Sequence, residues 1–324
     1  MPSHIKTIHL DTVIENHAQD MTGKVVAITG TTSGTGYIAA REIAKKGAEV
    51  LLLNRNSERS IKSYEQLLAE VPSGKFVRIS CNLQSIESVN QAISEITSKY
   101  KVLDVLCNNA GVMALEDDAT LDGYDVQMQT NVISHFQLFK GLLPLLKASP
   151  EARVVNHTSM ARLGGPLAVE YFGKNGNNLG GNGTEEENLS FRGPRWERYH
   201  QTKLANFVFT YALKQKLEAN GITHILPMAA HPGLAATNLQ LTTAKTGGMD
   251  VDGAFMQNAQ SAEDGATGII RASMDKDAKS GDFFGPKGWT GFPERLEPEA
   301  ELLSQKNIDT FWSGCEVAVG KIEF

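Results

Sequence analysis

The chain has only three cysteines in 324 residues, Cys81, Cys107 and Cys315, an odd number at wide spacing. That excludes a disulfide-stapled scaffold and predicts reduced thiols in a cytoplasmic setting. Cys107 falls in an apolar strand-like run, so it reads as core and not as a reactive thiol. No run of about 18 apolar residues occurs, so no membrane span is expected. The first 20 residues, with His4, Lys6, His9, Asp11, Glu15 and His17, lack the continuous apolar stretch of a signal peptide. Nor is there a surplus of positive charge. With 31 Lys and Arg against 37 Asp and Glu, the net charge is −6, which gives no electrostatic footprint for nucleic acid. The eight histidines show no ligand spacing and no His-Glu-x-x-His, so no metal site is predicted. Ser159 sits in no Gly-x-Ser-x-Gly elbow, which argues against a serine nucleophile.

What is present is a rhythm. From Lys24 onward, short apolar runs at 25–29, 50–53, 76–79, 103–107, 153–156 and 225–229 alternate with longer amphipathic stretches. Near-continuous apolar strands suit a parallel sheet covered on both faces. Between them, Ile38, Ile43 and Ala44 recur at helical spacing up to Gly47, and Ile86, Val89, Ala92, Ile93 and Ile96 do the same. Alternation of this kind predicts βαβ units with right-handed crossovers, hence an α/β doubly wound sheet in one domain over 24–324, preceded by an extension at 1–23. Two stretches break the pattern. Residues 164–197 are rich in Gly and Asn, with an acidic patch at 185–187, and predict a long surface insertion whose acidic run is a solvated loop. Residues 234–260 are irregular and lie where substrate loops are found, after a parallel strand.

The first strand runs into Thr29-Gly30-Thr31-Thr32-Ser33-Gly34-Thr35-Gly36 before a helix. Gly30 permits a sharp turn, Gly34 a close approach to a pyrophosphate, and Gly36 tight helix–strand packing. The helix N-terminus then offers unpaired N–H groups to phosphate. A glycine-rich turn is weak evidence alone, but its place between first strand and helix is the confirming context for a dinucleotide. After the second strand comes Leu53-Asn54-Arg55-Asn56. The acid that NAD enzymes use for the ribose 2′-hydroxyl is missing, and Arg55 can pair a 2′-phosphate, so NADP(H) is predicted over NAD(H).

Downstream lie Asn108-Asn109-Ala110-Gly111 after the fourth strand, Asn131, Ser159 after the fifth strand, and Tyr199-His200-Gln201-Thr202-Lys203, which opens a helix. A Tyr and a Lys four apart share one helix face. That pair is common by chance, whereas the whole set in this order at strand ends is far more specific. A free tyrosine titrates near pH 10, and a neighbouring ammonium is expected to lower it by ~2 pH units.

Together these residues resemble the short-chain dehydrogenase/reductase family, from about Lys24 to the C-terminus. The resemblance rests on the glycine turn, Asn108-Asn109-Ala110-Gly111, the Tyr199–Lys203 pair and His231-Pro232-Gly233. Gly281-Asp282-Phe283-Phe284-Gly285-Pro286, Phe311-Trp312 and Lys203-Leu204-Ala205-Asn206-Phe207 resemble its retinol-dehydrogenase-like and protochlorophyllide-reductase-like branch. It implies a seven-stranded Rossmann sheet and a catalytic set of Asn131, Ser159, Tyr199 and Lys203. In that set Tyr199 passes a proton to a carbonyl oxygen, or takes one from an alcohol, as hydride moves at nicotinamide C4, and Ser159 holds the substrate oxygen. Lys203 also binds the nicotinamide ribose, and Asn131 positions a water. It further implies cofactor contacts from Gly30, Thr32, Ser33, Gly34, Thr35, Gly36, Arg55, Asn82, Leu83, Asn109, Ala110, Gly111, Asn131, Tyr199, Lys203, Pro232, Gly233, Leu234 and Thr237. Thr35 stands where the family usually has Ile, and Asn82 where it usually has Asp. The insertion stretches the Ser159-to-Tyr199 spacing to 40 residues, beyond the family's commonest. Relatives with such insertions tend to be monomers, because the segment covers a helix face used for tetramers. Monomer and homo-oligomer both stay open.

Three functions fit these residues. The first is NADP(H)-dependent reduction of a carbonyl or oxidation of an alcohol, on a small-molecule substrate. The second is reduction of a conjugated C=C bond. The third is a catalytically silent NADP(H)-binding sensor, disfavoured because both Tyr199 and Lys203 are retained.

Overall fold

Each apolar run of the sequence places alternate residues on opposite sides of one sheet, and that alternation builds the protein. A computed structural model describes residues 5–176 and 178–324. His4, the start of the 1–23 extension and Asn177 of the insertion lie outside the described residues. The strands are β1 (Val25–Thr29), β2 (Glu49–Asn54), β3 (Lys75–Ser80), β4 (Val105–Asn108), β5 (Ala152–His157), β6 (Ile225–Ala230), β7 (Phe283–Gly285) and β8 (Glu294–Leu296). The helices are α1 (Leu10–Asn16), α2 (Gly34–Lys45), α3 (Glu58–Glu70), α4 (Ile86–Lys99), α5 (Val126–Met128), α6 (Ser134–Lys147), α7 (Glu185–Leu189), α8 (Pro194–Ala219), α9 (Asn238–Lys245), α10 (Ala262–Met274) and α11 (Gln305–Val319).

The sheet order is β3-β2-β1-β4-β5-β6-β7-β8. All neighbours run parallel except β7 and β8. The expected doubly wound sheet is therefore present, with one correction: it has eight strands and not seven. The extra strand is a three-residue antiparallel edge, pairing Phe283 with Leu296 and Gly285 with Glu294. It escaped sequence reading because Glu294, Arg295 and Leu296 have one buried neighbour and no apolar run. Strand order reverses between β1 and β4, and an open α/β sheet binds ligands in the crevice at that switch point.

Two apolar layers flank the sheet. Ala27, Leu51, Leu106 and Val154 point toward α4, α6, α8 and α11. Val26, Ile28, Val50, Val105 and Cys107 point toward α1, α2 and α10. The second layer includes part of the N-terminal extension. Leu10, Val13 and Met21 are buried in it, and Asp264 of α10 accepts from the Ile8 and His9 backbone N–H groups at 2.9 and 2.7 Å.

Three local expectations change. The helix carrying Tyr199 starts at Pro194, five residues earlier than its motif suggested, with Gly193 at φ 78° before it. Proline suits the first helical position because its absent N–H is needed least there. The acidic run 185–187 is not a loop. It forms the first turn of α7, where Glu187 and Thr184 close a capping box and negative charge meets the positive helix end. The irregular 234–260 stretch contains α9, capped by Thr237 and Gln240.

Candidate active site

The glycine turn has the shape its residues require. Gly30 has φ 72°, and a Cβ there would lie 2.8 Å from the Ala110 Cβ. Gly34 has φ 60° and opens α2. Asn54 holds the turn from the next strand: its Oδ1 accepts from Thr31 N at 2.9 Å, and its Nδ2 donates to Thr31 Oγ1 at 2.7 Å. Ser33, at the N-cap of α2, makes no side-chain bond to the helix. Its hydroxyl accepts instead from Arg59 Nη2. The first N–H groups of α2 are thus left without a side-chain cap, beside a space that glycine keeps clear. That combination fits a dinucleotide pyrophosphate.

A cleft of about 820 Å³ runs from this turn to Tyr199. Gly30, Thr32, Ser33, Gly34, Thr35, Arg55, Asn82, Leu83, Asn109, Ala110, Gly111, Ser159, Tyr199, Lys203, Pro232, Gly233, Leu234 and Thr237 all line it. Two of the sequence-derived residues stand behind its wall. Gly36 is one: a Cβ there would meet Asn109 Nδ2 at 2.2 Å and Gly30 O at 2.4 Å, so its place is in helix–strand packing. Asn131 is the other, fully buried in a π-turn spanning Gln129–Ile133. Its Oδ1 accepts from Val112 N at 2.8 Å, while Nδ2 donates to Val112 O at 2.9 Å and Thr202 Oγ1 at 3.0 Å.

A polar lattice ties these parts together. Asn109 Nδ2 donates to Thr29 O at 2.9 Å, so its Oδ1 is the acceptor for Thr35 Oγ1 at 3.0 Å and for His157 Nδ1 at 3.1 Å. Thr29 Oγ1 takes the Asn109 and Ala110 N–H groups at 3.1 and 3.0 Å and meets His135 Nε2 at 2.9 Å. His135 Nδ1 lies 2.9 Å from Asn131 O. The consistent assignment is a neutral ring donating from Nδ1 to the carbonyl and accepting the threonine proton at Nε2. Burial supports it by pushing the His135 pKa down to about 4. His157 is pushed down to about 3, by burial first and then by Lys203 and His231.

At the far end, Tyr199 and Lys203 sit one turn apart on α8, and both side chains are buried. Lys203 Nζ lies 5.7 Å from the centre of the Tyr199 ring and donates to His157 O at 3.1 Å. Ser159 stands beside the Tyr199 hydroxyl and acts to lower its pKa. Here one expectation fails. In the protein alone the Tyr199 pKa is raised, not lowered, because burial of the phenol outweighs the opposing effect of Ser159. The ammonium does not supply the expected opposing field, since Lys203 is itself buried and its pKa is pushed down to about 8.

Several residues of the cleft were not found by sequence reading. Arg59 lies in the first turn of α3, just past the loop that carries Arg55, and a second cation so close to Arg55 was a usable signal. His157, His200, Phe191, Trp196, Phe255 and Trp289 also line the cleft. His157 ends β5, Trp196 and His200 lie in the first turns of α8, and Phe191, Phe255 and Trp289 come from irregular segments, so no single local pattern marked them.

These features match known proteins. A family model described as short chain dehydrogenase matches residues 24–172. An oxidoreductase of Schizosaccharomyces pombe is 36% identical over 69% of this chain and 64% of its own. The short-chain dehydrogenase TIC 32 A, chloroplastic, of Brassica napus is 33% identical over 69% of this chain and 67% of its own. Retinol dehydrogenase 13 of Mus musculus is 30% identical over 67% and 60%. A solved structure from Mycobacterium paratuberculosis, 28% identical, superposes with a TM-score of 0.72 over 94% of this chain and 96% of that one. The chain therefore belongs to the short-chain dehydrogenase family, on its retinol-dehydrogenase-like branch. It spans less than two thirds of the length of several curated relatives it matches. Among the described residues, no helix is long and apolar enough to cross a membrane.

Proposed function

We propose that the protein is an NADP(H)-dependent oxidoreductase that interconverts a small-molecule carbonyl compound and its alcohol, with Tyr199 as general acid and base. The observation that carries the reading is that Tyr199, Ser159 and Lys203 line one end of a cleft whose other end is the glycine turn. Ser33, Gly34 and Thr35 would hold the pyrophosphate. Arg55 and Arg59 would pair a 2′-phosphate, which favours NADP(H) over NAD(H). Asn109, Ala110 and Gly111 would border the adenosine half, with Asn82 and Leu83 near the adenine. The segment Pro232, Gly233, Leu234 and Thr237 would close over the nicotinamide half. The bound cofactor supplies or accepts the hydride.

The residues of this chain handle the proton. The Tyr199 phenol carries its proton near neutrality and can donate it to a carbonyl oxygen as that oxygen gains charge. Ser159 would position the same oxygen and share its charge. Lys203 would contact the nicotinamide ribose and, on the reverse side of Tyr199, return a proton from solvent. Gly111 leaves a space there: a Cβ on it would stand 3.3 Å from Asn131 Oδ1 and 3.5 Å from Lys203 Nζ. That opening would admit the water assigned to Asn131, which otherwise acts by pinning Val112 and Thr202.

The whole of 24–324 would act as one oxidoreductase unit, with α1 from the extension packed on its back. A monomer is the favoured assembly, because the 164–197 insertion and α11 meet over α8 through Phe172 and Phe311, 6.3 Å apart. The three buried free thiols favour a reducing, cytoplasmic setting. The experiment is NADPH consumption across aldehydes, ketones and enones with Tyr199→Phe as control. Turnover is expected to fall by ~10³-fold or more while NADPH still binds. Undiminished turnover would refute the role of Tyr199. Activity confined to enones would favour C=C reduction.

A further inference from the structure

The cleft is most specific where sequence reading was blind, on the substrate side. Resting on the carbonyl chemistry proposed for Tyr199, we propose that the substrate is a flat, uncharged aryl ketone, held against an aromatic wall that leads to Tyr199. The wall consists of rings in series. Trp289 meets Phe255 edge-on, centroids 5.3 Å apart. Phe255 meets Phe191 at 4.8 Å, and Phe191 meets Trp196 edge-on at 5.0 Å. Trp196 then reaches Tyr199 at 5.8 Å and His200 at 6.2 Å. All of these side chains line the cleft.

The rings come from separate parts of the chain: the insertion, the start of α8, the 234–260 stretch and the loop before β8. Bringing them together has left marks on the backbone. Phe191 has φ 58°, a left-handed conformation that bulky residues rarely adopt. Such strain persists where the surroundings enforce it, and it clusters at ligand sites. Trp196 Nε1 donates to Gly248 O at 2.9 Å and Asn188 O at 3.1 Å, clamping both irregular segments to α8. With its one polar atom satisfied, the indole offers only ring surface. Trp289 O accepts from Leu234 N at 2.5 Å, and a Cβ on Gly233 would meet that same oxygen at 2.3 Å. The wall is thereby anchored to the segment assigned to the nicotinamide half.

Charge narrows the substrate further. No Asp or Glu lines the cleft among the described residues. Arg55 and Arg59 stand at the glycine-turn end, and Lys203 Nζ is engaged by His157 O. Beside Tyr199 the remaining ionisable side chain is His200, whose pKa is lowered by burial, leaving it a neutral hydrogen-bonding group. An ammonium would lose its water there without a counter-charge, and beside Tyr199 a carboxylate could meet only the Lys203 ammonium, which the proposed function assigns to the nicotinamide ribose. Met113, Met160 and Met249 add polarisable, adaptable surface of the kind that packs on aromatic edges. Ring faces and edges gain from quadrupole geometry beyond area alone, so an aromatic substrate exceeds a saturated one of equal size. In the reaction the carbonyl carbon takes the hydride of NADPH and its oxygen takes the Tyr199 proton. The products are the secondary alcohol and NADP⁺, and solvent restores the proton.

The test compares 2-acetylnaphthalene, its saturated counterpart 2-acetyldecalin and 6-acetyl-2-naphthoate, with NADPH and the full-length protein. The naphthyl ketone is expected to exceed the saturated ketone about 10-fold in kcat/KM, and the carboxylate to be the poorest. Phe191→Leu and Phe255→Leu are each expected to move the first ratio toward one, with NADPH affinity measured to show that the variants are folded. A ratio near one in the unaltered protein, or one indifferent to both variants, would overturn the inference. Saturation-transfer NMR on the NADP⁺-bound protein reads binding without turnover. Selective binding of the naphthyl ketone with no reaction would support the wall and refute the chemistry at Tyr199. Binding of neither ketone would overturn the wall itself.

Discussion

Replacing Lys203 by methionine is expected to abolish turnover and, at the same time, to stabilise the cofactor-free fold. The ammonium is buried, 5% exposed, and its hydrogen-bond partner is a neutral carbonyl, His157 O at 3.1 Å. Burial pushes its pKa from 10.5 to about 8, which corresponds to roughly 3 kcal/mol of penalty against the charged form. Methionine removes that penalty and forfeits one hydrogen bond, worth about 1 kcal/mol. The net gain is therefore about 2 kcal/mol at pH 7. The sign follows from the two protonation states. Below about pH 8 the folded and unfolded chains both carry the proton, and the fold bears the whole penalty. Between about 8 and 10.5 the folded protein sheds it while the unfolded chain keeps it, so the penalty fades as pH rises. Urea unfolding of the cofactor-free protein at pH 7 and near pH 10 measures both quantities. A methionine variant no more stable than the parent at pH 7, or a difference that does not shrink with pH, would refute the reasoning.

Arg55→Ala and Arg59→Ala are each expected to weaken NADPH about 10-fold, the order of one charge-assisted hydrogen bond, and to leave NADH unchanged. Fluorescence titration with both nucleotides checks this, and equal losses for the two would remove the 2′-phosphate assignment. Arg198 is fully buried, with Asp125 and Asp117 at 3.4 and 3.8 Å and the Leu179 and Gly181 carbonyls both at 2.8 Å. Arg198→Met strands two carboxylates and is expected to cost about 3–5 kcal/mol, with limited proteolysis reporting release of the 164–197 insertion. The buried thiols of Cys81 and Cys107 are both pushed up to about 12 by burial. They are expected to resist a disulfide reagent in the native protein and to react fully in guanidinium, as absorbance at the thiolate product would show.

The parts of the site that were legible in the sequence are those whose chemistry is local. Gly30, Gly34 and Gly36 are demanded by one turn and one helix end, and the backbone carries that requirement wherever the turn folds. Tyr199 and Lys203 announce themselves because a helix puts residues four apart on one face. The parallel strands are legible because burial on both faces leaves continuous apolar runs. Strand β8 has no such run, being a short edge, and so it was missed. The acidic run 185–187 was misread because a capping box depends on Thr184 and Glu187 closing on each other, which neither composition nor charge reveals.

By itself, then, the sequence determined the doubly wound sheet, the glycine turn and the Tyr199–Lys203 pair, since each rests on contacts within a few residues or on a simple period. Only the tertiary structure decided that Asn131 and Gly36 stand behind the cleft and that Arg59 joins Arg55 beside Ser33. It alone assembled Trp289, Phe255, Phe191 and Trp196 into one surface, from segments up to 98 positions apart. It also reversed the expected shift of Tyr199, because the pKa of a phenol depends on how much water the fold removes from it, and burial is a property of packing that no spacing encodes.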